Sequence, residues 1–550
     1  MSLFRERLKT IQPDPKNRRW LFIPYDQLSD SIGPLSKEDP KSLGIVLVEN
    51  PWKAARRPYH KQKLALILSN IRHFALEQAS KGIAVRHVVA DGPYMNVLKP
   101  IISELGPLRV MTPAERELRV DLTSLVKAGG IELVPHQGWL TTSSDFEKSG
   151  KTAPPWRMDA FYREVRRKKG ILMEGGKPKG GKFSYDAENR HYWKGDPPAP
   201  KMPPFPSNAI KEEVGRLIQK LFSHHPGRLN LDTLPCTKVD AETLWQWAKK
   251  KCLPIFGPYE DAMSVHSIGL FHTRVSALFN IHRLLPKRCV QETVTMDLPL
   301  ASKEGFIRQV IGWREFVHHI HVATDGFRKL PDNRPPIKKT PGDGGYGRWK
   351  GRAWENHRSE NDPDGGASPT YLNCKNPLPP AYWGEQSGLY CLDHVVSSIW
   401  EEGYSHHITR LMILANLATL LDVSPRELAD WFWVAYTDAY DWVVEPNVMG
   451  MGTYALGDLI TTKPYVSGTP YIKKMSDYCD FCAFDPKKNC PISRLYWAFL
   501  SRHAGALKNN PRMKLPMAAL RRRPKNECIK DGGTFKRIKN ILLVGDRITP

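Results

Sequence analysis

The chain is short of acid. Its 550 residues carry 57 Asp and Glu against 81 Lys and Arg, a formal net charge of +24. That deficit directs attention to polyanions, nucleic acid before anionic membrane. A surplus kept for solubility is the competing account. Long hydrophobic runs are also missing. The longest, "LMILANLATLLDV", is too short and too polar to span a bilayer, so no membrane is expected as a partner. The opening "MSLFRERLKTIQPDPKNRRW" has no apolar stretch of the kind a secretory signal needs. The nine cysteines are odd in number and irregular in spacing. This excludes a disulfide framework and points to a reducing compartment, with thiols kept for metal or core packing. No G-x-G-x-x-G follows the first strand pattern, so the standard dinucleotide fingerprint is lacking. No repeat of solenoid period occurs. Apolar residues make up 41%, as in globular proteins, and the length allows two or more structural units.

What is present falls into four parts. Residues 1–150 alternate β-rich runs ("WLFIPYD", "GIVLVE", "IAVRHVVA", "PLRVMTP", "IELVPH") with helical patterns such as "HKQKLALILSNIRHFALEQASK". This predicts an α/β domain with a parallel, Rossmann-like sheet. Residues 151–208 are basic, Gly-rich and Pro-rich and read as a long connector crossing the surface. Residues 209–505 carry helical patterns rich in aromatics, making an all-α domain. In "SPRE", Ser424 serves as N-cap, with Pro425 and Glu427 at the first and third helical positions. Residues 506–550 form a basic tail with no legible mechanism.

Chemistry concentrates in a few stretches. "YCDFCAFDPKKNC" places Cys479, Cys482 and Cys490 within reach of one metal centre, and Cys391 of "GLYCLDHV" is the best fourth ligand. Pro491 after Cys490 suits an iron–sulfur site, but zinc takes four thiolates equally well, so spacing alone leaves the metal open. In "YSHHITRLMILAN", His406 and Arg410 lie one helical turn apart with His407 beside them. Such histidines exchange protons near neutral pH, or pair structurally in a core. "IGWREFVHHIH" joins Trp313, Arg314 and Glu315: a stacking surface, an anion-seeking fork and a carboxylate. "FHTRVSALFN" sets Thr273, Ser276 and Asn280 at helical spacing, suited to phosphate oxygens at a helix start, or to capping alone. "WFWVAYTDAYDWVVEPNVMGMG" gathers Trp431, Trp433, Tyr440 and Trp442 beside Asp441 and Asn447; such aromatics are core or electron conductors.

Together these segments resemble the photolyase–cryptochrome flavoproteins. "IGWREFVHHI" is similar to the W-R-E-F signature of the flavin domain. "HTRVS" is similar to the S-R-L-S segment at the flavin diphosphate, and "HHITRL" to the H-H-L-A-R-H segment of (6-4) photolyases. The four cysteines and "RMDAFYREVRRKKGILMEGGKPKGGKFSYDAENR" narrow the resemblance to the iron–sulfur bacterial branch, over residues of about 20 to 500.

The resemblance implies FAD in the helical domain, with Thr273, Ser276 and Asn280 near its phosphates and Trp313 and Glu315 in its pocket. Arg410 and Asp441 are expected as a charged pair by the ring, and Asn447 facing it. It implies a 4Fe-4S cluster on Cys391, Cys479, Cys482 and Cys490. It also implies a 6,7-dimethyl-8-ribityllumazine antenna near Asp26, Gln27 and Glu49. His407 matches the proton donor of (6-4) repair, with His406 assisting, and Trp431 and Trp383 match positions that re-reduce the flavin. The implied partner is UV-damaged DNA, bound by a monomer in the bacterial cytoplasm, at the nucleoid when on DNA. The implied reaction is light-driven electron transfer to a flipped-out (6-4) pyrimidine photoproduct.

Three departures stand out. Leu411 replaces the second catalytic histidine, the loop from Cys482 to Cys490 is short for the branch, and Phe432 cannot act as a redox tyrosine. Two other readings compete: a cryptochrome-like blue-light receptor signalling through a protein, and a primase-like or zinc nucleic-acid module without flavin.

Overall fold

The computed structural model describes residues 2–150, 154–330 and 366–550. The five apolar runs form one parallel sheet: β1 (Arg19–Phe22), β2 (Leu43–Glu49), β3 (Ala84–Val89), β4 (Leu108–Met111) and β5 (Ile131–Val134), in the order β3-β2-β1-β4-β5. Helices Lys61–Ala79, Tyr94–Leu105 and Arg116–Lys127 connect successive strands from β2 onward. β2 is buried along its whole length, as a strand covered on both faces must be. Its register sets Gly44 opposite Trp20, and a Cβ at Gly44 would meet that indole at 2.6 Å. The bare position lets the large ring lie flat on the pair.

The strand order reverses between β1 and β4, opening a crevice at their carboxyl ends. The helical half closes on this edge. Glu315, fully buried, accepts hydrogen bonds from Leu140 N (2.8 Å), Thr141 N (2.9 Å) and Thr141 Oγ1 (2.8 Å), just beyond β5. Lys63 Nζ donates to the carbonyls of Trp433 (2.9 Å) and Ala439 (2.5 Å) from the other side. One apolar core therefore spans both halves.

Two regions depart from the sequence reading. The 151–208 stretch is more than a surface crossing: helix Met158–Lys169 buries Phe161, Tyr162, Val165 and Arg166, with Phe161 5.8 Å from Phe316. Its apolar face, interleaved with charge, packs against the helical half. The basic tail forms helices Lys514–Arg522 and Lys525–Val544, the latter lying on helix Pro491–Arg502. Asp531 binds Arg494 (3.0 Å) and Arg523 (2.5 Å) there, which explains why so basic a segment folds. Its end docks too: Ile548 N donates to Ser387 O (2.9 Å), and a Cβ on Gly388 (φ 85°) would strike Ile548 O at 2.1 Å. Among the described residues no helix is long and apolar enough to cross a membrane.

Candidate functional site

The helical half encloses a cavity of about 930 Å³. Three of its walls are wide π-helical turns, Arg308–Arg314, Thr409–Ala415 and Glu445–Gly452. Such turns often mark functional sites, because they rotate the following side chains off the regular helical face. The first brings Trp313 and Arg314 to the cavity, and the third brings Asn447, whose Nδ2 donates to Val443 O (2.8 Å). Thr273, Ser276 and Asn280 line the same space. Glu315 does not. One residue past the turn it faces the other way, bracing the two halves as described and accepting from Arg314 Nη1 (2.9 Å).

The charged pair in the cavity is Arg410 with Asp438. Nη1 and Nη2 each lie 3.0 Å from a different carboxylate oxygen. Ser276 Oγ donates to Asp438 Oδ2 (2.7 Å), Asn280 Nδ2 to Asp438 O (2.7 Å), and Arg410 Nε to Ser405 O (2.8 Å). Burial alone would raise the Asp438 carboxyl, but Arg410 and Ser276 hold it below its usual range. The guanidinium also lies 4.0 Å from the Tyr436 ring. Asp441 is not part of this pair. It opens helix Asp441–Val444 and turns outward, accepting from Arg116 N (2.7 Å) and Glu117 N (3.4 Å) at the start of helix Arg116–Lys127. There a carboxylate suits the positive helix end.

Three histidines meet at one wall. His272 stacks on His406 (4.5 Å, 12°) and meets His407 edge-on (5.3 Å). His406 is buried, and neither ring nitrogen has a hydrogen-bond partner among the described residues. His272 Nε2 sits 3.1 Å from Glu260 O, which places its proton there. Burial, reinforced by neighbouring cationic groups, pushes both His272 and His406 well down, so they stay neutral. The His407 side chain is 37% exposed, and its Nε2 lies 3.7 Å from Asp261 Oδ1. His272 went unread in the sequence, since its partners come from a segment more than 130 residues away.

Trp431 and Trp383 are separated by a residue that sequence reading missed. Trp400 lies 6.0 Å from Trp431 and stacks on Trp383 at 5.5 Å and 13°. Trp431 itself does not line the cavity. Phe432 does, 5.2 Å from Trp431 and stacked on Tyr436 at 5.4 Å. The indoles of Trp431 and Trp400 both donate to Tyr382 O, at 2.9 and 3.1 Å.

The four cysteines converge. Cys391 lies in the first turn of helix Tyr390–Glu402, Cys479 lies within the turn Tyr478–Phe481 and Cys482 closes it, and Cys490 caps helix Pro491–Arg502. Burial, then the nearby Cys490, Cys482 and Cys479, push the Cys391 thiol well up, as expected of four thiols gathered without a metal. Thr469 Oγ1 donates to Cys490 Sγ (3.3 Å).

A second, smaller cavity of about 80 Å³ lies between the halves, walled by Tyr25, Glu49, Lys53, Tyr94, Trp433 and Tyr440 among others. Arg72 Nε (2.6 Å) and His87 Nε2 (3.1 Å) flank the Glu49 carboxylate. They outweigh its burial and bring it down to about 2. Asp26 and Gln27 do not line this cavity. At the strand-order reversal, Asp26 Oδ2 accepts from Ala114 N (3.3 Å) and Gln27 Nε2 donates to Met111 O (2.8 Å), tying the β1 and β4 loops together. Burial pushes the Asp26 carboxyl up to about 6.

Residues 21–233 match the family model of deoxyribodipyrimidine photo-lyase-related proteins. The chain is 34% identical over 516 residues to a (6-4) photolyase of Agrobacterium fabrum, covering 90% of this chain and 94% of that one. It is 33% identical over 119 residues to an uncharacterised protein of Acanthamoeba polyphaga mimivirus, covering 22% of this chain and 93% of the viral one. The solved structure of a Synechocystis cryptochrome shares the fold: TM-score 0.53, 14% identity, 95% of this chain and 99% of that one covered. With a relative matched along nine-tenths of its length and an α/β sheet set on a helical domain, the chain belongs to the photolyase–cryptochrome family, among its deoxyribodipyrimidine photo-lyase-related proteins.

Proposed function

We propose that the protein is a (6-4) DNA photolyase, which restores (6-4) pyrimidine photoproducts in DNA under light. One observation carries the reading. The cavity sets a partly exposed histidine, His407, on a wall of neutral histidines and holds the Arg410–Asp438 ion pair in the same space, in a chain 34% identical to a (6-4) photolyase.

FAD, which the family implies, supplies light-driven one-electron donation when bound. The residues present fit it. Ser276 and Asn280, tied to Asp438, with Thr273 beside them, are hydroxyl and amide groups suited to its phosphates. Arg410, fixed by Asp438, offers positive charge where a reduced flavin carries negative charge. Trp313 and Asn447 offer a stacking face and an amide. His407 then holds the proton for the lesion at its exposed ring edge. His406 and His272, neutral and stacked beneath it, keep that edge pointed outward. Leu411 leaves no second histidine one turn on, and His272 fills the neighbouring space from another segment.

The four thiols that meet around Cys391 are read as the ligands of a 4Fe-4S cluster, as the bacterial branch of the family implies. The smaller cavity is read as the seat of a ribityllumazine antenna, with Glu49 and Lys53 for its polar groups and Tyr25 and Tyr94 for its ring; Asp26 and Gln27 have no part in it. The protein is read as acting in the cytoplasm as a monomer on damaged DNA, which the +24 charge draws in.

The test is a duplex bearing one (6-4) photoproduct, mixed with flavin-loaded enzyme and assayed by chromatography for restored thymines. Repair under blue light and none in the dark is the expected result. His407→Ala should cut repair by about 10²- to 10⁴-fold, the usual contribution of a general acid, with lesion binding intact. Loaded wild-type enzyme that leaves the lesion untouched in the light overturns the reading.

A further inference from the structure

We propose that Lys463 and Arg512 form a phosphate clamp on the lip of the large cavity, gripping the backbone on either side of the damaged dinucleotide that enters it. The inference rests on the photolyase reading above and gives the basic C-terminal segment a task at the site.

Eight Lys and Arg side chains line the cavity. Six are matched by carboxylates, from the largely buried Arg410 on Asp438 to the exposed Arg190 on Asp186. Those charges are already neutralised by the protein and hold its own walls. Lys463 and Arg512 are the exceptions: no acidic partner meets either among the described residues. Arg512 is exposed and Lys463 half-buried.

The two stretches of chain that carry these cations are tied together. Arg512 sits in the short turn Pro511–Met513, well beyond the aromatic helices that build the cavity. Asn510 ties that turn to the lip. Its Nδ2 donates to Thr462 O (3.0 Å) and Tyr454 Oη (3.1 Å), while its Oδ1 accepts from Arg512 N (2.9 Å). One asparagine thus joins the backbone of Arg512 to the peptide preceding Lys463. Met513, 3% exposed, pins the turn from below. A solvated surface charge needs no such fixture.

Paired cations held without an anion at the mouth of a cavity suit phosphate. The Arg fork takes two phosphate oxygens and the Lys ammonium acts as a point charge. When a cross-linked dinucleotide is extruded into a pocket, its bases leave the stack but its two flanking phosphates stay at the rim. Clamping both holds the strand in its extruded shape, which an intact duplex does not present.

Binding is measured in the dark with the flavin-loaded full chain, on a duplex carrying one (6-4) photoproduct and on the same duplex undamaged. Lys463→Gln and Arg512→Gln should each weaken lesion binding about tenfold, the value of a charge-assisted hydrogen bond. Each should also make the log–log salt dependence shallower by about one. Binding to undamaged duplex should barely change. Asn510→Ala, which keeps both charges but frees the turn, should give a smaller loss. Unchanged lesion binding in the double variant, or equal loss on both duplexes, overturns the clamp. Wild-type binding by Asn510→Ala overturns the anchoring role. A wild type that does not prefer the lesion duplex overturns the photolyase reading and the clamp with it. Preference in the wild type with unaltered variants overturns the clamp alone.

Discussion

Arg410 and Asp438 meet through two parallel 3.0 Å hydrogen bonds inside the cavity, while Asp441, three residues on, serves the junction of the two halves. The two aspartates should therefore fail differently. Asp438→Asn leaves a buried guanidinium without its counter-ion, a loss of about 3–5 kcal/mol for such pairs. It should release flavin on gel filtration. Asp441→Asn should keep the flavin and lower the melting temperature by about 1–3 °C, the value of one helix-end contact in a large protein. Flavin absorbance per chain and thermal melting separate the two.

Trp400 bridges Trp431 and Trp383. Trp400→Phe keeps the packing but removes the oxidisable ring. Light-driven reduction of the loaded protein by an external thiol should slow severalfold, with flavin content and lesion binding unchanged. Equal rates in variant and wild type would remove Trp400 from the route.

Metal content separates cluster from ion at the four thiols. Protein purified without oxygen should hold about four irons and four sulfides per chain if it carries a cluster of the cubane type. Cys490→Ser should lose them together with the broad visible absorbance. Stoichiometric zinc in place of iron would reverse the assignment.

Acid should weaken the fold in a defined window. His60 joins the two halves, its Nε2 between Ile399 O (3.1 Å) and Trp400 O (3.2 Å) and its Nδ1 accepting from Gln62 N (3.0 Å). Burial brings it down to about 4, against about 6.5 in an unfolded chain. Between those values the unfolded state binds a proton that the folded state refuses. Stability is thus complete above about pH 6.5 and falls as pH drops toward 4, on the order of 3 kcal/mol from this group. Urea midpoints across that range should show the fall, and His60→Gln should flatten it by up to one proton.

The strands, the Ser424 cap, which accepts from Glu427 N, and the meeting of four distant cysteines were all legible in the sequence. Each follows from a local pattern or a strong chemical preference. What escaped was direction. Asp438 and Asp441 share one acidic–aromatic run, and only the break before helix Asp441–Val444 decides which faces the cavity. Glu315 points away from Trp313 because a π-helical turn ends between them. Asp26 and Gln27 sit at a switch point, where ligands commonly bind, yet the β4 loop claims both side chains. Trp400, on a helix among polar neighbours, shows its stacking only once Trp383 is folded against it.

Trp431 and Trp400 hang from a single oxygen, the carbonyl of Tyr382. Their relative placement is thus governed by one peptide unit and not by two independent side chains. The Tyr382 ring adds a second hold on one of them, meeting Trp431 edge-on at 5.3 Å while its hydroxyl donates to Leu414 O (2.7 Å). The spacing of the two rings is therefore set in part by chain path, and a displacement of that one peptide would move both indoles together.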